Sequence, residues 1–367
     1  MVSPRDVILS PPGPDEIEVS LFGPGKGEAI AVHMGRGDWM TIDSCIEQPS
    51  GTNALVTYFD AIGVDISTQV KLVVGTHAHD DHIAGIGDLF KRAKEAKYVQ
   101  SAALTSDEFF ASVAADEDIE RVLRQSVRSE FRAVVEELNL RSRPQAIAYA
   151  TAQKTLWEVE PTGDHGATRV IALSPSDVAQ YRSNQQLAAG MARAEDRMKL
   201  RPPDPNEASI ALWLELGSSV ILLGADLIIG PEGCGWKGIL DGFDPQQKAS
   251  LFKVPHHGSP NAHHEPVWSR LLETDPVALI APFRPGRNPR PSSADVARIL
   301  SFTPHGYTTA PSRIPVPSRS AQSAGKSLET VARNVRQPWG RVGHVQARRA
   351  EGASGWTVRF KEPARHL

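Results

Sequence analysis

Apolar positions along this chain follow two rhythms. Short β-branched runs stop at glycine, aspartate or histidine, and longer stretches place apolar residues three or four apart. Ile17–Phe22, Glu28–His33 and Asp38–Asp43 are strand-like runs, so residues 15–46 predict a β-meander. Residues 52–63 predict a helix. Val70–Gly75 predicts a short buried strand, and Ile83–Lys97 a helix with Ile83, Ile86, Leu89, Phe90 and Ala93 on one face. Strand-like patches recur at Ala146–Tyr149, Arg169–Pro175, Ser209–Leu216, Ser219–Leu223, Val277–Ala281 and Trp356–Phe360. Two stretches, 105–141 and 176–200, read as charged or polar helices. In the first, Arg121, Arg124, Arg128 and Arg132 share one helical face among acids. That face is either a solvated surface laced with ion pairs or a basic rim for an anionic substrate.

Composition narrows the class. The 367 residues are 40% hydrophobic, enough for one large α/β domain with insertions or for two smaller domains. A net charge of −3 gives no global field for non-specific nucleic-acid binding. Cys45 and Cys234 make neither a disulfide framework nor a thiolate zinc site. No apolar signal core opens the chain, and Val220–Ile229 is interrupted by Asp226 and too short to span a bilayer. A cytoplasmic protein without a membrane partner is expected. Residues 311–350 are rich in Pro and Ser and carry eight Arg or Lys against one Glu, a local charge of +7. This segment predicts a flexible arm, a binding surface, or both.

The chemistry concentrates in Thr76-His77-Ala78-His79-Asp80-Asp81-His82, between the buried strand and the helix that follows it. Imidazole and carboxylate suit zinc and similar borderline ions. His77 and His79 are two apart in an extended segment, point the same way and can grip one ion. Asp81 and His82 follow a turn and can reach a second. A solvated polar loop is the bland alternative, but the chain has only 12 histidines to place there.

His77-Ala78-His79-Asp80-Asp81-His82 resembles the HxHxDH loop of the metallo-β-lactamase superfamily without a gap. The resemblance covers most of 15–310, with 105–200 as a helical insertion. It implies an αββα sandwich of two mixed sheets flanked by helices. The domain would span 1–310, with 311–367 as the basic arm and C-terminal strands packing on the same domain. It further implies that Asp226, in Gly224-Ala225-Asp226, bridges two metals, and that Asp43-Ser44-Cys45 holds the metal loop by hydrogen bonds.

Phe252-Lys253-Val254-Pro255-His256-His257-Gly258-Ser259 is similar to the branch that includes the nuclease-like domain of ComEC-type DNA-uptake proteins. Alignment with the family's Ser-His-Gly favours His257 as the last metal ligand, whereas counting from the strand end favours His256. The other histidine would donate a proton to the leaving group. Lys253 and Ser259 are candidate phosphate contacts. Asn206 stands where most members carry a further histidine, within the same Asn-x-x-Ser pattern as the ComEC-like branch. His165 is a possible substitute for that missing imidazole. Arg290 stands where that branch has a histidine and would suit an anionic substrate.

The implied function is a metal-dependent hydrolase that uses two zinc ions, or manganese, on phosphodiesters as a nuclease or nucleotide phosphodiesterase. His77, His79, Asp81, His82, Asp226 and His257 would hold the metals. Asp81 and His256 would act in catalysis, and Lys253, Ser259 and Asn206 would contact a small-molecule or nucleic-acid substrate. The alternatives are hydrolysis of lactones, thioesters or amides, and a non-catalytic binding or regulatory role. A protein partner from an operon-encoded system is compatible with either.

Overall fold

The computed structural model describes residues 6–25, 27–47, 50–104, 125–141, 144–163, 165–194, 205–284, 289–311 and 342–367. The expected meander forms as β1 (Glu16–Gly25), β2 (Gly27–His33) and β3 (Trp39–Asp43). Then follow β4 (Val70–Gly75), β5 (Lys97–Ser101) and β6 (Ile147–Ala150). The second half supplies β7 (Lys154–Val159), β8 (Thr168–Ala172), β9 (Leu212–Leu216) and β10 (Ser219–Leu223). It continues with β11 (Ala249–Lys253), β12 (Leu272–Ile280) and β13 (Gly306–Thr308). The chain closes with β14 (Gly343–Ala350), β15 (Thr357–Lys361) and β16 (Arg365–His366).

These strands make two eight-stranded mixed sheets, ordered β15-β14-β1-β2-β3-β4-β5-β6 and β16-β13-β12-β11-β10-β9-β8-β7. In the first, β3, β4, β5 and β6 run parallel; in the second, β10, β11, β12 and β13 do. Three apolar clusters define the layers. One lies between the sheets, with Val19, Leu21, Val32 and Leu72 facing Leu212, Leu214, Ile221 and Leu279. A second packs Leu55 and Phe59 of the helix Ala54–Ile62, with Leu89 and Phe90, on the outer face of the first sheet. The third packs Trp236, Trp268 and Ile299 on the outer face of the second sheet. Helix, sheet, sheet, helix is therefore the layer order, as the resemblance implied.

The helix Ala54–Ile62 starts where the Asn53 side chain accepts from Leu55 N and Val56 N, and it stops at Gly63 in the left-handed region. The helix Gln125–Arg141 buries Phe131 and Val134 against the first sheet's outer layer and leaves Arg132 exposed. Its Glu130 carboxylate accepts from Gly85 N (2.9 Å) and Gly87 N (3.0 Å), so it caps the start of the helix Ile86–Arg92. Arg121 and Arg124 of the predicted basic face lie outside the described residues.

The reading of 311–350 as an arm needs correction at its end. Residues 343–350 form β14, paired antiparallel with β1 along its whole length. Val345 and Ala347 alternate into the core between the sheets, a period-two signal obscured in sequence by the arginines around it. Arg348 is buried and donates to Glu18 Oε2 at 2.7 Å. Residues 312–341 lie outside the described residues. Among the described residues no helix is long and apolar enough to cross a membrane.

Candidate metal centre

The site lies where the parallel strands of both sheets end, the place at which α/β sheets present their chemistry. The first sheet contributes Asp43 at the end of β3 and the loop 76–82 after β4. The second contributes Asp226 after β10 and His257 after β11. Four non-glycine residues there hold left-handed backbone conformations: Asp43 (φ 59°), Ala225 (φ 43°), His256 (φ 46°) and His257 (φ 53°). Such conformations cost about 1–3 kcal/mol each and persist where surrounding structure dictates them.

Donor atoms converge on two points. At the first, His77 Nε2 lies 3.0 Å from His79 Nδ1 and 4.0 Å from Asp226 Oδ2. At the second, Asp226 Oδ2 lies 3.3 Å from both His82 Nε2 and His257 Nε2. Asp81 Oδ2 completes it, 3.6 Å from His257 Nε2 and 3.9 Å from His82 Nε2. A tetrahedral ion with bonds of about 2.0–2.1 Å needs donors about 3.3–3.4 Å apart; the Asp226 contacts to His82 and His257 have that spacing, and Asp81 stands slightly wider of the two imidazoles.

Outer contacts fix the ring orientations. Asp43 Oδ2 lies 2.6 Å from His82 Nδ1, and its carboxylate also accepts from Thr76 N (2.8 Å) and Thr76 Oγ1 (2.9 Å). Asp43 therefore holds the metal loop by hydrogen bonds. His257 Nδ1 donates to Ala281 O at 2.9 Å, which frees Nε2 for the cluster. His77 Nδ1 lies 2.9 Å from Thr76 Oγ1 and 3.3 Å from Ser209 Oγ, and Ser209 Oγ also accepts from Asp226 N at 3.2 Å.

His77, His82, Asp226 and His257 are buried, whereas Asp81 and His79 are partly exposed and mark the open side. His82 Nε2 and Asp226 Oδ1 are buried without a hydrogen-bond partner among the described residues. Buried polar atoms are rarely left so, and a cation at the second cluster would satisfy His82 Nε2 directly. Charge points the same way. Burial alone would discourage protonation of His82 and His257, but the carboxylates of Asp226, with Asp43 at His82 and Asp81 at His257, raise both well above the ordinary imidazole range. Burial alone would raise Asp226, and the two imidazoliums instead hold it well below the usual carboxylate range. The pull that draws protons onto these rings is the pull that holds a divalent cation. The donor set fits zinc or manganese.

The other expected residues fall in different places. His257 joins the cluster; the ring of His256 lies 6.0 Å from that of His257 and is partly exposed. Ser259 is partly exposed beyond the turn, and Asn206 is buried in the short turn Pro205–Ala208. Lys253, read from sequence as a phosphate contact, is fully buried: its ammonium is bound by Glu28 and donates to Ala225 O at 2.9 Å. A lysine at the end of a core strand faces inward, away from any arriving phosphate. His165 does not complete the first cluster. Its Nδ1 lies 2.6 Å from Asp15 Oδ1, and its backbone carbonyl accepts from Arg36, in the turn at the opposite end of β2 and β3. Arg290 pairs with Asp295 Oδ2 at 2.7 Å. Asn288, beside it, lies outside the described residues.

Two residues escaped the sequence reading. Glu28 sits buried on β2, with Oε2 3.5 Å from His257 Nδ1 and Oε1 3.9 Å from His82 Nδ1. Burial alone would raise it, and the Lys253 ammonium together with the charges and hydrogen bond of His257 and His82 lowers it instead. Phe283 stacks on the His257 ring at 5.3 Å with 27° between the planes. A carboxylate inside an apolar strand was the signal for Glu28; Phe283 gave none.

This sandwich, with its ligand loop at the edge of two mixed sheets, is the metallo-β-lactamase type of fold. No protein-family model and no curated protein matches the chain. Solved structures similar to it include the metallo-β-lactamase-fold protein YhfI from Bacillus subtilis, 14% identical over 65% of this chain and 70% of that one, with a TM-score of 0.33. The diiron β-hydroxylase CmlA from Streptomyces venezuelae is 14% identical over 67% of this chain but 35% of its own, with a TM-score of 0.34. The dizinc quorum-quenching lactonase AidC is 15% identical over 55% of this chain and 56% of its own, with a TM-score of 0.30. At these scores the fold rests on the strand order and layering above, and none of these proteins' activities transfers to this chain.

Proposed function

We propose that the protein is a metal-dependent hydrolase of phosphodiesters, a nuclease or a nucleotide phosphodiesterase. The observation that carries the hydrolase reading is the convergence of Asp81, His82, Asp226 and His257 around a partly open point. Asp81, His82, Asp226 and His257 would hold a divalent ion there, which would supply the Lewis acidity that makes hydroxide available near neutral pH. Asp81, on the open side, accepts a hydrogen bond from the attacking water and orients it. Asp43, Thr76 and Ala281 O hold the imidazoles in one tautomer each. His256, on the exposed side of the same turn, donates a proton to the departing oxygen. Ser259 and Asn206 are assigned to the substrate side.

Phosphodiester preference is supported by the rim. Arg290 and Arg298 both pair with Asp295, Arg284 donates to Pro311 O at 2.9 Å, and Arg298 donates to Gly258 O at 2.7 Å, directly after His257. This positive rim suits an anion. The partly exposed Phe283 ring against His257 favours a second reading, hydrolysis of lactones or other acyl substrates. The test pairs metal analysis with turnover of bis-p-nitrophenyl phosphate, p-nitrophenyl acetate and a lactone panel, in wild type and in Asp81→Ala. Bound metal with phosphodiester turnover lost in the variant supports the first reading. Acyl turnover alone supports the second, and absence of metal after zinc or manganese is supplied overturns both.

A further inference from the structure

The first sheet carries four of the six candidate ligands and the second carries two, so the centre exists only if the sheets keep a fixed offset. One buried contact between them is made by residues outside that set. Glu28, near the start of β2, binds the ammonium of Lys253, the last residue of β11, with both side chains essentially inaccessible to solvent. Buried ion pairs seldom add net stability, because desolvation cancels most of their attraction. Stability is therefore a poor account of this one.

Its surroundings point to another. Lys253 Nζ lies 3.7 Å from Asp226 Oδ1, while Asp226 Oδ2 faces His82 and His257 at 3.3 Å each. The ammonium also donates to Ala225 O (2.9 Å), which accepts from His256 N as well (3.0 Å). These two bonds grip the left-handed residue directly before Asp226 and link it to the histidine turn. We propose that the Glu28–Lys253 pair is a positioning device that spans the two sheets and presents Asp226 to the metals through one oxygen. The lysine attracts Oδ1 from 3.7 Å and grips the residue before it through Ala225 O, and Glu28 holds the lysine. The proposal rests on the metal-centre reading above.

The test is the charge-neutral double variant E28Q/K253M, which removes both charges at similar volume and leaves the site's net charge unchanged. Its unfolding midpoint is expected close to wild type. Its Mn2+ affinity, by calorimetric titration of the full chain, is expected to fall about 10–100-fold, the scale seen when outer contacts of metal ligands are lost. The visible bands of its Co2+ form are expected to weaken as Asp226 binds through both oxygens and coordination number rises. A stabilising pair alone would move the midpoint and leave affinity and spectrum unchanged. That pattern, with Mn2+ affinity within about twofold of wild type, overturns the proposal. If the double variant does not fold, Glu28→Asp draws the carboxylate back from Lys253 with both charges kept, and unchanged affinity and Co2+ spectrum there overturn it equally. Wild type that binds neither Mn2+ nor Zn2+ fails at the earlier step: the metal-centre reading falls, and this proposal with it.

Discussion

Asp43 Oδ2 and His82 Nδ1 lie 2.6 Å apart in the buried floor of the site. This contact fixes the imidazole so that Nε2 alone faces Asp226. Asp43→Asn keeps the shape but replaces a carboxylate oxygen with an amide, weakening the hold on the Nδ1 proton and on Thr76. Metal affinity is expected to fall about 10–100-fold with the fold retained. Calorimetric metal titration beside circular dichroism checks this; unchanged affinity would show that Thr76 and Glu28 suffice to orient the loop.

The histidine pair separates by variant. His257→Ala removes a donor 3.3 Å from Asp226 Oδ2 and is expected to reduce metal content at the second cluster. His256→Ala is expected to keep metal content and to lower turnover by about 10²–10⁴-fold, the range for loss of a general acid. Mass-spectrometric metal counts with turnover rates tell these apart. The reverse pattern would exchange the two roles.

Gly27 packs its backbone closely against the metal loop. A Cβ there would meet Asp81 O at 2.2 Å, and its φ of +115° excludes most side chains. Gly27→Ala is expected to cost at least about 2 kcal/mol and to displace Asp81, lowering both the unfolding midpoint and metal affinity. Gly51→Ala, with nothing within 4 Å of its added Cβ, is the control for φ alone.

Acid should destabilise the fold from a point remote from the metals. His33 donates from Nδ1 to Glu16 O (2.6 Å) and accepts from Gly37 N at Nε2 (3.0 Å). Burial pushes it down to about 4 from an ordinary 6.5. Below pH 6.5 the unfolded chain takes up a proton that the folded one refuses. The contribution is therefore complete above that pH, falls as pH drops towards about 4, and amounts to up to about 3 kcal/mol. Urea unfolding between pH 7 and 4 should show this slope, and His33→Gln should flatten it by about one proton. An identical slope in the variant would place the acid sensitivity elsewhere, with buried His344 the next group to test.

Much of the candidate cluster was legible because its donors are local. His77, His79, Asp81 and His82 follow one strand at fixed spacing, and Asp226 ends another. The choice between His256 and His257 was not legible. Both residues take left-handed conformations, so neither alternation nor helical period says which ring turns inward. Lys253 misled for a related reason: a lone cation beside a histidine turn suggests a phosphate contact. Its partner Glu28 is distant in sequence and lies on the other sheet. Strand β14 was hidden within a basic, proline-rich composition, and only its pairing with β1 explains the buried Arg348.

That pairing also has a consequence for biogenesis. β1 (Glu16–Gly25) is synthesised long before β14 (Gly343–Ala350), the strand that covers its edge. Throughout synthesis β1 must carry an open row of backbone donors and acceptors, the kind of edge that recruits other chains. The first sheet therefore closes only after translation has passed residue 350. A nascent chain can already hold every candidate ligand of the centre while β1, paired with β2 on one edge, still awaits β14 on the other.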